Sequence, residues 1–267
     1  MQILEKQSTG KYGSDKRNED AVVVTADFAA VIDGATDISG ALIDGVTPGR
    51  FAAQAVAAAF EKLDKHADAT ATVAFFTAAL AKARQAHHVP QTVRPFCVFA
   101  CYSKARRQIF RLKDVKITIN GAEIGGEIAA VEALTEARRA LLHSHLAAGK
   151  TVAELLENDP SRAVYAAFSE HNFALLNNAG NAYGFGAING SPVPDIFIET
   201  IDVPEGAEII LASDGYPVLK NSLAESEAVL AEILVQDPLL IGDYPQPRAM
   251  LQNGISFDDR SFLRFSI

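Results

Sequence analysis

The sequence predicts an α+β fold, a four-layer α-β-β-α sandwich of two antiparallel sheets flanked by helices. Two observations carry this. Strand-like segments come in runs and helix-like segments come in pairs, whereas a parallel βαβ sheet alternates them. Short apolar runs are punctuated by Gly, Asn, Asp and Pro turns throughout. No repeat, linker or low-complexity tract divides residues 1–267, so one domain is expected.

Taken in order, Gln2 to Gln7 alternates weakly as a strand, Ala21 to Thr25 is a β-branched run, and Phe28 to Ile32 runs into Asp33-Gly34. Apolar residues at helical spacing mark Gly49 to Lys65, with Pro48 near its start, and Thr70 to His87. Strands follow at Phe96 to Tyr102, Gln108 to Leu112 and Val115 to Ile119, and Asn120-Gly121 signals a hairpin turn. The span 126–176 is a helical segment: Ile128 to Ala148, Thr151 to Glu157, and a helix from Asp159-Pro160-Ser161 through Leu176. Asn177 to Pro194 is loop or irregular strand. Ile196 to Val203 and Glu208 to Ala212 are strands, Leu223 to Val235 is an amphipathic helix, Pro247 to Gln252 is a candidate helix, and Ser261 to Ile267 is the last strand.

Composition is that of a globular protein: 49% apolar and 21% charged residues, net charge −9. A basic face for nucleic acid is absent from the sequence, since no long Lys/Arg run exists. No uninterrupted apolar stretch reaches bilayer-spanning length, and Met1 to Lys11 is polar from the start. A cytoplasmic monomer without membrane or nucleic-acid partners is therefore expected. Cys97 and Cys101, four residues apart on one strand, point to the same side but lie too far apart to bond, and read as buried thiols.

Four acidic places share a setting at a strand end. They are Glu19-Asp20, Asp33-Gly34, Asp214-Gly215 and Asp258-Asp259. Carboxylates crowded together raise each other's pKa, and hard divalent cations remove that cost. A single Asp-Gly is an ordinary turn, but two apolar strands running directly into Asp-Gly (AAVIDG and IILASDG) ask for more.

The ordered set NEDA (18–21), VIDGA (31–35), LASDGY (211–216) and DDRSFLRF (258–265) resembles the metal-dependent, type 2C serine/threonine protein phosphatase family, as a divergent bacterial-type member. The resemblance covers nearly the whole chain. It implies a two-metal centre for Mg²⁺ or Mn²⁺ that activates water against a phosphorylated protein substrate. It implies that Asp33 bridges the ions, that the Gly34 carbonyl binds one, that Asp214 and Asp258 bind the other, and that Glu19 and Asp20 bind metal or hold its waters. Asp114, in the turn Lys113-Asp114-Val115, is the candidate for a weaker third ion where the family has Gly-Asp-Ser, beside its simpler reading as a turn residue.

Two departures stand out. Ala35, Thr36 and Asp37 occupy the place where the family often has a histidine and two glycines, which removes a candidate general acid. Asp15 stands where the family has a phosphate-gripping arginine, so Arg17, with its planar fork, is the expected phosphate contact. These departures keep open a second reading, a catalytically weak phosphatase-like binding or regulatory module. VIDGATD also superficially resembles the nucleophile loop of haloacid-dehalogenase phosphatases, but that chemistry needs an aspartate where Val31 stands.

Overall fold

A computed structural model describes residues 1–36 and 39–267. Its strands form two five-stranded antiparallel sheets. The first sheet contains β1 (Gln2–Thr9), β10 (Arg260–Ser266), β9 (Glu208–Ala212), β6 (Lys116–Ile119) and β7 (Ala122–Ile124), in that spatial order. The second contains β2 (Ala21–Val24), β3 (Phe28–Gly34), β4 (Cys97–Ser103), β5 (Gln108–Arg111) and β8 (Glu199–Asp202). The helices are α1 (Pro48–Ala59), α2 (Ala69–Ala86), α3 (Ala129–Ala147), α4 (Val152–Glu157), α5 (Ser161–His171) and α6 (Leu223–Gln236). None among the described residues is long and apolar enough to cross a membrane.

The period-two alternation of the strands builds the layers. In β9, Ile209 and Leu211 join Leu263 and Phe265 of β10 in the core between the sheets. Ile210, Ala212 and Phe262 point the other way and pack with Leu230, Ile233 and Leu234 of α6. With both faces covered, the run reads as continuously apolar. The second sheet does the same. Tyr102 meets Phe265 across the interface, ring centroids 5.4 Å apart, while Phe99 packs on Phe76 of α2 at 5.2 Å and Phe28 on Phe60 at 5.8 Å. Asp33 pairs directly with Val98, which shares a face with Tyr102, so Asp33 faces the opposite sheet.

Local chemistry fixes the ends. Thr47 caps α1, accepting a hydrogen bond from the Arg50 amide, with Pro48 in the first turn. Thr151 and Glu154 form a capping box on α4. Asn120 (φ 52°) and Gly121 (φ 80°) both lie at positive φ, as a two-residue hairpin of this kind needs, and they lead into β7, a strand not anticipated from the short Ala122–Ile124 run.

Three expectations need correction. Pro247 to Gln252 forms no helix: the Gln246 amide donates to Leu240 O (3.0 Å) and the Met250 amide to Pro238 O (3.0 Å), so these bonds hold the segment as irregular, bent chain against its neighbours. The strand expected from Ile196 begins with a 3-10 turn at Asp195–Phe197, leaving β8 shorter. The helix expected through Leu176 ends at His171 and continues as the 3-10 turn Asn172–Ala174. Cys97 and Cys101 are buried and free.

Candidate active site

Antiparallel register gathers the acidic places at one end of the sandwich. Ala21 pairs with Ile32, which sets Glu19-Asp20 beside Asp33. Phe262 pairs with Ala212, which sets Asp258-Asp259 beside Asp214. Lys116 also pairs with Ala212, which brings Asp114 to the same end. Strands distant in sequence thus deliver their terminal carboxylates to one place.

Asp33, Gly34, Asp114, Asp214 and Asp258 line a common cavity of about 120 Å³. Its other wall is apolar and comes from the helical segment: Ile128, Val131 and Leu134 around α3, and Tyr165 and Phe168 of α5. Glu19 and Asp20 stand behind this lining. The Asp20 carboxylate accepts a hydrogen bond from Ser213 Oγ at 2.6 Å, which ties the start of β2 to the end of β9. Arg17 lies elsewhere: it is exposed, with its guanidinium 5.4 Å from the Tyr12 ring centroid. The arginine in the cavity wall is Arg248. Asp37 lies outside the described residues.

Both Asp-Gly steps are explained by crowding. A Cβ on Gly34 would stand 2.4 Å from Gly49 O and 2.5 Å from Glu19 O; one on Gly215 would stand 2.0 Å from Asp259 O. Glycine is what lets each aspartate-bearing turn press against the next. Asp114 reaches its place at φ 91°, an uncommon conformation for a non-glycine residue, with its amide donating to Gly126 O at 2.8 Å.

Electrostatics divides the acidic residues into two groups. Asp33, Asp114 and Asp214 accept no side-chain hydrogen bond and form no ion pair among the described residues. Burial, and then the charge of Asp214, pushes the Asp33 carboxyl well above the usual range; burial and Asp258 do the same to Asp214. Burial and Asp258 raise Asp114 to about 6, and burial and Asp259 raise Asp20 to about 8. These groups resist ionisation unless a cation joins them.

The second group already has cations, which the sequence reading did not find. Lys11 Nζ lies 3.0 Å from Glu19 Oε2, 3.1 Å from Asp258 Oδ1 and 3.1 Å from Asp259 Oδ2. Arg248 Nη2 lies 3.1 Å from Asp258 Oδ2 and 3.3 Å from Tyr165 Oη. Thr36 Oγ1 joins the two cations: it accepts from Lys11 at 2.9 Å and Arg248 at 3.1 Å, and donates to Glu19 Oε2 at 2.8 Å. Burial works against ionising Asp258, yet Arg248 and Lys11 hold it below the usual carboxylate range. A lone Lys after Gly10 and an Arg in a Pro-rich stretch carry no sequence signal for this role.

Among the described residues, no three His, Cys, Asp or Glu side chains surround a single point closely enough to hold a metal ion as they stand. The donor chemistry of the unpartnered group nonetheless fits a hard divalent cation, because Asp33, Asp114 and Asp214 offer only carboxylate oxygens and share one cavity.

Arg138, buried on α3, secures the segment that carries Arg248. It donates to Leu239 O (2.7 Å), Leu240 O (3.2 Å), Gln246 O (3.1 Å) and Ser161 Oγ (3.1 Å).

No protein-family model and no curated protein matches the sequence. Solved structures do. The serine/threonine phosphatase PstP/Ppp of Mycobacterium tuberculosis is 15% identical, with 99% of this chain and 98% of that chain covered and a TM-score of 0.51. The PstP catalytic domain in complex with two manganese ions gives 15% identity, full coverage of both chains and a TM-score of 0.51. Stp1 of Staphylococcus aureus gives 14% identity, coverage of 100% and 95%, and a TM-score of 0.51. The chain thus has the fold of the type 2C serine/threonine phosphatases, the family that its motifs resemble.

Proposed function

We propose that this protein is a metal-dependent phosphatase acting on phosphorylated serine or threonine in protein substrates. The observation that carries the reading is the convergence of Asp33, Asp114, Asp214 and Asp258 on one cavity at the end of this sandwich. Asp33, the Gly34 carbonyl, Asp114 and Asp214 would hold Mg²⁺ or Mn²⁺. Such an ion supplies Lewis-acid polarisation of the phosphoryl group and an acidified water.

The chain's own residues do the rest. Arg248, in the cavity wall, presents a planar fork suited to phosphoryl oxygens and takes the part expected of Arg17. Tyr165 stacks beneath it, 5.3 Å from guanidinium carbon to ring centroid, and limits where the fork can point. Thr36 does not replace the missing histidine, because its hydroxyl is already engaged with Lys11, Arg248 and Glu19. The leaving oxygen therefore takes its proton from water, which favours good leaving groups over alkyl esters. The segment 126–176 walls the cavity on one side and selects what enters, within a single domain.

The test is hydrolysis of p-nitrophenyl phosphate and then of phosphopeptides, with and without Mn²⁺, on the wild type beside Asp214→Ala. Metal-dependent turnover lost in the variant supports the reading. The cations already lodged among the carboxylates, together with the engaged Thr36, favour a second reading, a catalytically weak binding or regulatory module. Phosphopeptide binding without turnover would select it.

A further inference from the structure

Lys11 sits in a built environment. Its amide donates to Asp259 Oδ1 at 2.7 Å and its carbonyl accepts from the Ile255 amide at 2.8 Å, so the backbone is fixed on both sides. Gly10 permits the turn, since a Cβ there would stand 2.5 Å from Ser14 O. The side chain, only 7% exposed, ends with four oxygens at 2.9–3.1 Å around Nζ, three of them from carboxylates. Arg248 closes the other oxygen of Asp258. Glu19, Asp258 and Asp259 carry three negative charges, and Lys11 and Arg248 return two positive ones. That is the charge of one divalent cation. Both Asp258 oxygens are thereby occupied, on the side of the site where the family resemblance implies a second ion.

We infer that Lys11, assisted by Arg248, is an internal cation standing in for one metal ion, so that the chain takes a divalent cation at Asp33, Asp114 and Asp214 and none at Asp258. The inference rests on the proposed reading only in its count of ions. The Lys11 cluster itself makes a separate claim: removing the ammonium opens a site for a divalent cation among Glu19, Asp258 and Asp259, whose oxygens are the hard donors such an ion prefers.

The experiment is equilibrium dialysis with Mn²⁺, alongside thermal melting with and without Mn²⁺, on the wild type, Asp214→Asn, Asp258→Asn and Lys11→Gln. The wild type is expected to bind about one ion, and Lys11→Gln about two. Asp214→Asn is expected to weaken binding more than about tenfold, and Asp258→Asn to leave it within about twofold. Two ions on the wild type, or equal losses in Asp258→Asn and Asp214→Asn, would overturn the inference and leave the phosphatase reading standing. No ion on the wild type but one on Lys11→Gln would uphold the claim for Lys11 and overturn both the cation at Asp33, Asp114 and Asp214 and the phosphatase reading. No binding to either protein overturns both. Should Lys11→Gln fail to fold, the comparison of the two near-isosteric asparagine variants decides alone.

Discussion

Arg248 Nη2 lies 3.1 Å from Asp258 Oδ2, which joins a loop residue from the Pro-rich stretch to the turn that opens β10. The contact gives the cavity a guanidinium opposite its acidic groups, Asp33, Asp114 and Asp214. Replacing Arg248 by Ala is expected to lower kcat/KM for a phosphopeptide about 30-fold, since a charge-assisted contact contributes about 2 kcal/mol. Arg248→Lys recovers part of this, and Arg17→Ala changes little. Steady-state kinetics on the three variants checks the assignment, and a larger loss in Arg17→Ala would reverse it.

The repelling carboxylates set a pH dependence for the metal-free protein. Asp20 and Asp114 titrate in the fold at about 8 and about 6, above their unfolded value of 3.8. The folded state then holds more protons than the unfolded state between those limits, and stability falls as pH rises through that window. The melting temperature without metal is expected to drop from pH 5 to pH 8, and Mn²⁺ is expected to flatten the slope. A metal-free melting temperature that rises over the same range would contradict the crowding described here.

Asp33→Asn tests the same conflict from the other side. It removes the cost of seating an ionisable carboxyl beside Asp214, where burial and that charge hold Asp33 well above the usual carboxylate range. The metal-free variant is expected to melt higher than the wild type by a few degrees, as about 1 kcal/mol of repulsion is relieved. It is also expected to lose Mn²⁺-dependent hydrolysis. Calorimetry and a turnover assay on one preparation show whether stability and activity move in opposite directions.

Arg138→Met removes the donors that Leu239, Leu240 and Gln246 carbonyls share on α3. Stability should fall by about 3 kcal/mol, the size expected when buried hydrogen-bonded partners of a charge are left alone. Denaturant unfolding measures this. Because the same carbonyls hold the approach to Arg248, phosphopeptide KM should rise as well, and an unchanged KM would separate the two segments.

The fold was legible in the sequence because the apolar periodicity is local. The AAVIDG and IILASDG runs announce β3 and β9 with their Asp-Gly ends, and each aspartate lies where those runs imply. Asp114 was legible as a turn aspartate, and the β6–β9 register then carries it into the cavity. Lys11 and Arg248 were not legible. Lys11 follows a strand end and meets Asp258 across 247 residues of chain, and no local pattern encodes that distance. Arg248 sits where six residues suggested a helix; the bonds that prevent the helix come from Leu240 and Pro238, outside that window. Arg17 carries the planar fork two residues from Asp15, the place of the family's arginine, but the short 3-10 turn Asp15–Arg17 leaves it exposed beside Tyr12.

The steric reason for Gly34 and Gly215 bears on how kinship among such chains is judged. Each glycine is demanded by the approach of a neighbouring main chain, at Gly49 and Asp259, and that demand is independent of any reaction. A descendant that had abandoned catalysis would keep both glycines merely to fold. Their presence in a distant sequence therefore reports the architecture alone, and whether the site works is a question for the aspartates before them.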